Sequence, residues 1–193
     1  MARPPLSTAE LLVISQRCAD VFVAAGGSRA TVSDLAAAAR MSERTFYRYF
    51  PTKEDSLRPL FDDGLSRYVT ALAAQPTPGD APTAIMRAIE QTFADDDEVH
   101  TRALMGAVID DPALRRIWLE ASYEAAQRLR PHIAALIEAD DVTTSVMAGQ
   151  AALLVVVAIE QLIRTGTPMS AAACAAARAM FGPLTEPPKK PRG

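Results

Sequence analysis

The sequence predicts an all-α protein in two parts, and three features carry that prediction. Helix starts are marked by Ser or Thr followed three residues later by Asp or Glu (Ser7 with Glu10, Thr31 with Asp34, Thr52 with Asp55), a pairing that satisfies two orphan backbone donors at once. Apolar residues recur at helical spacing along the chain, and no stretch reads as a strand. Residues 75–82 hold three prolines and a glycine, cannot continue a helix, and mark a domain boundary or a bend.

The first helix opens at Ser7, carries the stripe Leu11, Ile14, Cys18, Val21, Phe22 and Ala25, and stops at Gly26-Gly27. Thr31 opens a short second helix over 32–39, and Ser42 caps a third that runs through Phe50. Thr52 with Asp55 opens a fourth, with Leu57, Leu60, Phe61, Leu65, Tyr68 and Leu72 on one face. Past residue 82, helical patterns over 84–93 and 99–109 flank the acidic run 95–98. Asp111-Pro112, an N-cap followed by proline at the first helical position, starts a long helix through Trp118 and Tyr123. Pro131 falls inside it and is expected to kink or interrupt it, because proline removes a hydrogen bond and clashes with the preceding turn. Residues 143–165 are apolar nearly all round and end at Gly166 and Pro168; residues 170–181 form a last helix made mostly of alanine. Residues 186–193 are proline-rich and basic and read as a disordered tail. The expected division is a first domain over 1–52, a linking helix over 52–74, and a body over 75–185.

A length of 193 residues suits one or two domains, and 49% apolar with 22% charged residues is an ordinary globular composition. Residues 1–8 lack the apolar core of a signal peptide, and the longest unbroken apolar run, 151–159, is half the length of a membrane span of about 18. The expectation is a cytoplasmic protein without a membrane partner. Cys18 and Cys174 sit on apolar helical stripes without metal-ligand spacing and read as structural thiols. The net charge of -3 is unevenly spread: residues 1–58 carry eight Arg/Lys against six acids, the remainder twelve against seventeen. A mildly basic head on an acidic body would approach a polyanion head-first.

Two short helices joined by a tight turn, 31–39 and 42–50, form a helix-turn-helix, the geometry that lets one helix enter a major groove while its partner crosses the backbone. Phe46 and Phe50, four apart, bury against Leu35, Val32 and the first helix, which leaves Glu43, Arg44, Thr45, Tyr47, Arg48 and Tyr49 outside. Arginine can bond guanine in bidentate fashion, Thr45 can meet a base edge or a thymine methyl, and tyrosine hydroxyls reach phosphates. Lys53 and the amides opening the fourth helix add a phosphate site. From composition alone, an ordinary helical hairpin with a solvated basic face is equally open.

The run Thr31-Val32-Ser33-Asp34-Leu35-Ala36, followed by Ser42-Glu43-Arg44-Thr45-Phe46-Tyr47-Arg48-Tyr49-Phe50-Pro51-Thr52-Lys53-Glu54, resembles the signature of the tetracycline-repressor (TetR) family. The resemblance spans roughly residues 11–65; beyond them it is one of helix count and length. It implies DNA-contact positions at Thr31, Ser42, Arg44, Thr45, Tyr47, Arg48, Tyr49 and Lys53, and a palindromic double-stranded operator. Arg40 stands at a turn position where the family often has glycine; in a left-handed backbone it costs on the order of 1 kcal/mol relative to glycine.

A helix apolar all round must be covered on both sides. The resemblance implies a homodimer through helices 143–165 and 170–181, whose alanines suit close approach. It also implies a small apolar or amphipathic effector. Candidate walls are Phe93, Met105, Trp118, Tyr123 and Met147, with Thr92, Gln150 or Glu160 as polar anchors, although each large apolar side chain taken singly is more often core than ligand contact. Gln150 and Glu160 lie in an apolar helix and so need partners.

No catalytic Ser, Cys or His constellation, cofactor motif or metal site is expected. The acidic run beside His100 scatters its carboxylates rather than converging them, and His132 follows Pro131 without catalytic company. The sequence thus favours a DNA-binding repressor released by a small molecule. A helical interaction protein without DNA binding would have no reason for the Arg44, Thr45, Tyr47 and Lys53 face, and a helical enzyme lacks its catalytic groups.

Overall fold

A computed structural model describes residues 5–76, 78–94 and 97–182, and every described secondary-structure element is helical. Three short-range devices build the first three helices. α1 (Thr8–Ala25) opens on a complete capping box: Ser7 Oγ accepts the Glu10 amide at 3.3 Å while the Ser7 amide donates to the Glu10 carboxylate at 2.8 Å. It ends where Gly26 and Gly27 adopt φ of 69° and 90°, and a Cβ added at Gly27 would lie 3.1 Å from an Asp111 carboxylate oxygen. α2 (Val32–Ala38) opens on the Thr31/Asp34 box, and α3 (Glu43–Tyr49) on Ser42, whose Oγ accepts the Thr45 amide at 3.3 Å. Between them Arg40 has φ 55°, the left-handed backbone that would suit glycine.

The Thr52/Asp55 box forms, but it does not open the expected continuous fourth helix. It precedes a single 3-10 turn, Glu54–Leu57, and α4 proper is Arg58–Ala73 with Pro59 in its first turn. Proline tolerates that place because its missing amide is one of the orphans there. α5 (Ala81–Phe93), α6 (Glu98–Asp110), α7 (Pro112–Leu136), α8 (Asp141–Thr165) and α9 (Met169–Phe181) follow, with aspartates 80, 97, 111 and 140 capping α5 to α8. Pro131 does not interrupt α7, which runs unbroken through it. Pro131 and Gln127, whose carbonyl would otherwise accept the amide that proline lacks, both lie on the exposed face of α7. The expected tail over 186–193 lies outside the described residues.

α4 is the central post. Its buried Phe61, Leu65, Tyr68 and Leu72 meet α5 and α7, and the Tyr68 hydroxyl donates to the Ala151 carbonyl of α8 at 3.2 Å. Burial pushes the Tyr68 phenol pKa well above its ordinary range. α7 and α8 pack as an antiparallel pair with α9 against α8. α8 is long and apolar enough to cross a membrane, with a mean hydropathy of 2.0 over its best window, yet its inner face, Ala151, Leu154, Val155, Ala158 and Leu162, is core. The outer face shows Val142, Val146 and Leu153 to solvent at 72%, 54% and 49% exposure. Cys18 is buried, and its thiol is pushed up to about 11 by that burial, against the lowering effect of a hydrogen bond with Ser56.

Candidate nucleic-acid interface and the cavity behind it

α3 is held from beneath by Phe46 and Phe50, 0% and 3% exposed with ring centroids 5.0 Å apart, against a core that includes Leu35, Cys18 and Phe22. That packing turns the other side chains outward. Arg44, Thr45, Tyr47 and Arg48 line one shallow concavity; Tyr47 is half exposed, and Arg44 makes no hydrogen bond or ion pair with the described residues. Arg48 stacks over Tyr49, with its guanidinium carbon 4.9 Å from the ring centroid, and reaches the Tyr49 hydroxyl at 3.4 Å. An adjoining hollow of about 430 Å³ shares Thr45 and Arg48 and adds Tyr49, Val13, Met41, Arg17 and Arg40. Four guanidiniums therefore border two neighbouring hollows on one side of the head, with Arg17 and Arg40 absent from the sequence expectation.

The remaining expected contacts are already committed within the chain. The Thr31 hydroxyl donates to the Asp34 carboxylate at 2.6 Å, and the Ser42 hydroxyl is shared with Thr45 at 3.0 Å. Lys53 Nζ donates to the Ser28 carbonyl and, at 2.9 Å, to the Ala30 carbonyl, while the Thr52 amide donates to Asp55 at 2.7 Å. At this turn the Thr52 amide is thus held by the protein's own carboxylate, and the lysine staples the α1–α2 loop. The same loop is held from the other side: Asp111, the N-cap of α7, accepts the amides of Ala113 and Leu114 on one oxygen and the Ser28 amide, at 2.8 Å, on the other. Burial raises the Asp111 pKa, but the hydrogen bonds from Ser28, Leu114 and Ala113 together hold it below its usual carboxylate value. An N-cap aspartate was legible in the sequence; its second partner, 83 residues away, was not.

Behind the head lies a second cavity of about 430 Å³, bounded by α1, α4, α5, α6, α7 and α8. Phe93, Met105 and Trp118 line it as expected, beside Phe61, Leu104 and Ile159. Tyr123, Met147 and Gln150 do not. Tyr123 is 69% exposed, five residues beyond Trp118 and so roughly 140° around α7. Met147 precedes the lining residue Val155 by eight positions, about 12 Å along α8, and Gln150 by five, which turns it to another face. Thr92 is buried but donates to the Ala88 carbonyl at 2.6 Å, and Glu160 is exposed, so neither anchors a ligand here. The polar lining comes instead from exposed or half-exposed Gln16, Asp20, Asp63, Arg67, Asp97, His100 and Thr101. Among the described residues no group of His, Cys, Asp and Glu side chains is placed to hold a metal ion.

A family model described as "Bacterial regulatory proteins, tetR family" matches residues 18–57, the stretch from mid-α1 to the start of α4. Over residues 18–57 the chain is thus similar to the head of that family. The HTH-type transcriptional regulator EthR of Mycolicibacterium smegmatis is 32% identical over 117 residues, which is 58% of this chain and 50% of that protein, so the match spans half of the curated relative's length. Two solved structures share the fold over nearly their whole length. A TetR-family regulator from Mesorhizobium loti superposes with a TM-score of 0.55 at 18% identity, covering 91% of this chain and 96% of its own. The fatty acid degradation regulator FadR from Bacillus halodurans superposes with a TM-score of 0.58 at 19% identity, covering 95% and 98%. The all-α fold of these two structures therefore extends through the body of this chain as well as its head.

Proposed function

We propose that this chain is a sequence-specific, DNA-binding transcriptional regulator, a repressor that a small molecule releases from a palindromic operator, working as a cytoplasmic homodimer. The observation that carries the reading is α3: two phenylalanines fix its inner face, and Arg44, Thr45, Tyr47 and Arg48 stand together on the outer one. Such a helix reads base edges while flanking arginines neutralise phosphates. Residues 1–52 serve as the reading head and 75–185 as the ligand-binding and dimerisation body. The outer stripe Val142, Val146, Gly149 and Leu153 of α8, spaced by four, three and four, supports a second copy as its cover, which sets two heads on successive major-groove faces about 34–36 Å apart. The effector is apolar or amphipathic and occupies the cavity walled by Phe93, Met105 and Trp118. It lowers operator affinity, and by linkage the operator lowers effector affinity by the same factor.

The test is selection of bound sequences from a random DNA pool, followed by titration of the selected operator with Arg44→Ala. The variant is expected to lose about 1–3 kcal/mol and to relax one base preference. No enriched palindrome, or unchanged binding and specificity in the variant, would falsify the assignment of α3.

A further inference from the structure

The cavity behind the head is amphipathic in a particular way. Its deep walls are buried and apolar or aromatic, chiefly Phe61, Leu104, Met105 and Trp118. Trp118 is 5% exposed, and its indole Nε1 has no acceptor among the described residues, so the wall includes a polar group the chain leaves unsatisfied. Among the described lining residues the solvent side carries charge of one dominant sign, Asp20, Asp63 and Asp97 against Arg67, with the imidazole of His100 beside them. Arg67 is engaged, with Nε 3.5 Å from Asp63 and a further nitrogen donating to the Thr92 carbonyl at 2.9 Å. Asp97 uses one oxygen to accept the Val99 and His100 amides at 3.0 and 3.1 Å, and the other stays open. Asp20 has no hydrogen bond or ion pair with the described residues.

We infer that this cavity takes an organic cation with an apolar body, its rings or chain among Phe61, Phe93 and Trp118 and its positive charge facing Asp20 and Asp97. The inference rests on the regulator reading for its consequence but not for its chemistry. An anion entering here would meet a net negative rim, whereas a cation gains the carboxylates while its apolar body packs among the aromatic side chains. Asp20 belongs to α1 and Asp97 caps α6, so the same charge would bridge head and body.

Tetraphenylphosphonium and the near-isosteric anion tetraphenylborate separate shape from charge. Trp118 is the only tryptophan in the chain, so its fluorescence reports occupancy of the full-length protein without a label. The phosphonium is expected to quench it saturably and to bind at least tenfold more tightly than the borate. Asp20→Asn and Asp97→Asn should each weaken the phosphonium about two- to fivefold, as expected for partly exposed charge pairs, and Asn at position 97 still caps α6. Borate binding equal to phosphonium binding, or a double variant that binds the phosphonium unchanged, overturns the inference. Operator affinity is measured on the same preparations without probe: cation binding with no operator binding would count against the regulator reading and leave the charge preference standing.

Discussion

Arg40→Gly is expected to stabilise the protein while weakening its grip on DNA. Among the described residues Arg40 is the one non-glycine with positive φ, at 55°, where Cβ crowds the following carbonyl at a cost of about 1–2 kcal/mol. Glycine removes that strain but frees the unfolded chain, which returns about 0.4–1 kcal/mol. The net gain of about 0.5–1 kcal/mol corresponds to a Tm increase of roughly 1–4 °C for a chain of this size. Strain of this kind persists where a function over-determines it, and Arg40 lines the same hollow as Arg17 and Arg48, beside the reading helix. The variant should therefore also lower operator affinity equally on all sequences and reduce the salt slope by about one. Calorimetry gives the first quantity and fluorescence titration over a salt series the second. A lower Tm would show that the arginine side chain supports the turn rather than straining it; unchanged DNA binding would show that the strain has no part in recognition.

Other perturbations test the joints of the same architecture. Lys53→Ala is expected to lower Tm as well as DNA affinity, because Lys53 Nζ holds the Ser28 and Ala30 carbonyls; a residue that only touches phosphate would change affinity alone. Light scattering should report about twice the chain mass of 20.7 kDa at micromolar concentration, and Ala175→Arg, on the outer face of α9, should shift the protein toward monomer; a monomeric parent would remove the dimer from the proposal. Because the folded Asp111 pKa lies below its unfolded value, its contribution to stability is complete above the ordinary carboxylate range and is lost as pH falls through the lowered value. Asp111→Asn, which can still cap α7, should flatten that acid-side loss in a plot of Tm against pH, and an unchanged slope would exclude Asp111 from the acid response.

The head was legible because its determinants are local. Capping boxes, glycine stops and the Phe46/Phe50 spacing act within a few residues, so Ser7, Thr31 and Ser42 fixed helix starts to within a residue. The fourth start was half right for an equally local reason: Asp55 and Thr52 form their box, but Pro59 and the chain's turn onto α1 leave a 3-10 turn before α4 takes over. The cavity was less legible, because a lining depends on which faces of distant helices converge. Phe93, Met105 and Trp118 were found by size, and Tyr123 failed by the same criterion, since a large ring on the outer face of α7 has the same sequence signature as one on the inner face. The carboxylates of the rim carried no signal, because exposed aspartates on α1, α4 and at a helix cap look like ordinary solvated charge.

How a ligand in that cavity could reach the head follows from where α6 is fastened. Leu104 and Met105, at the middle of α6, form part of the cavity wall, and Asp97, His100 and Thr101 border it at the N-terminal end of the helix. Near that end Glu98 accepts the Met169 amide at 3.0 Å, at the start of α9, and Arg102 donates to the Ile163 carbonyl at 3.2 Å, near the end of α8. Just past its other end Asp111 holds the Ser28 amide of the α1–α2 loop. A helix of 13 residues is about 20 Å long, and if it shifts as a rod, displacement by a ligand at the cavity end would pass to the proposed dimer helices and to the head. The loop has little freedom to absorb the motion, because Lys53 grips its Ser28 and Ala30 carbonyls. Cutting the Ser28–Asp111 bond should then uncouple the two sites while leaving each able to bind. That outcome is distinct from damage to either site: in Asp111→Ala, the ratio of operator affinities with and without cavity ligand should move toward one while the affinity for the ligand alone stays put. A ratio unchanged from the parent would place the coupling elsewhere, with α1 itself the next candidate, since Gln16 and Asp20 line the cavity directly.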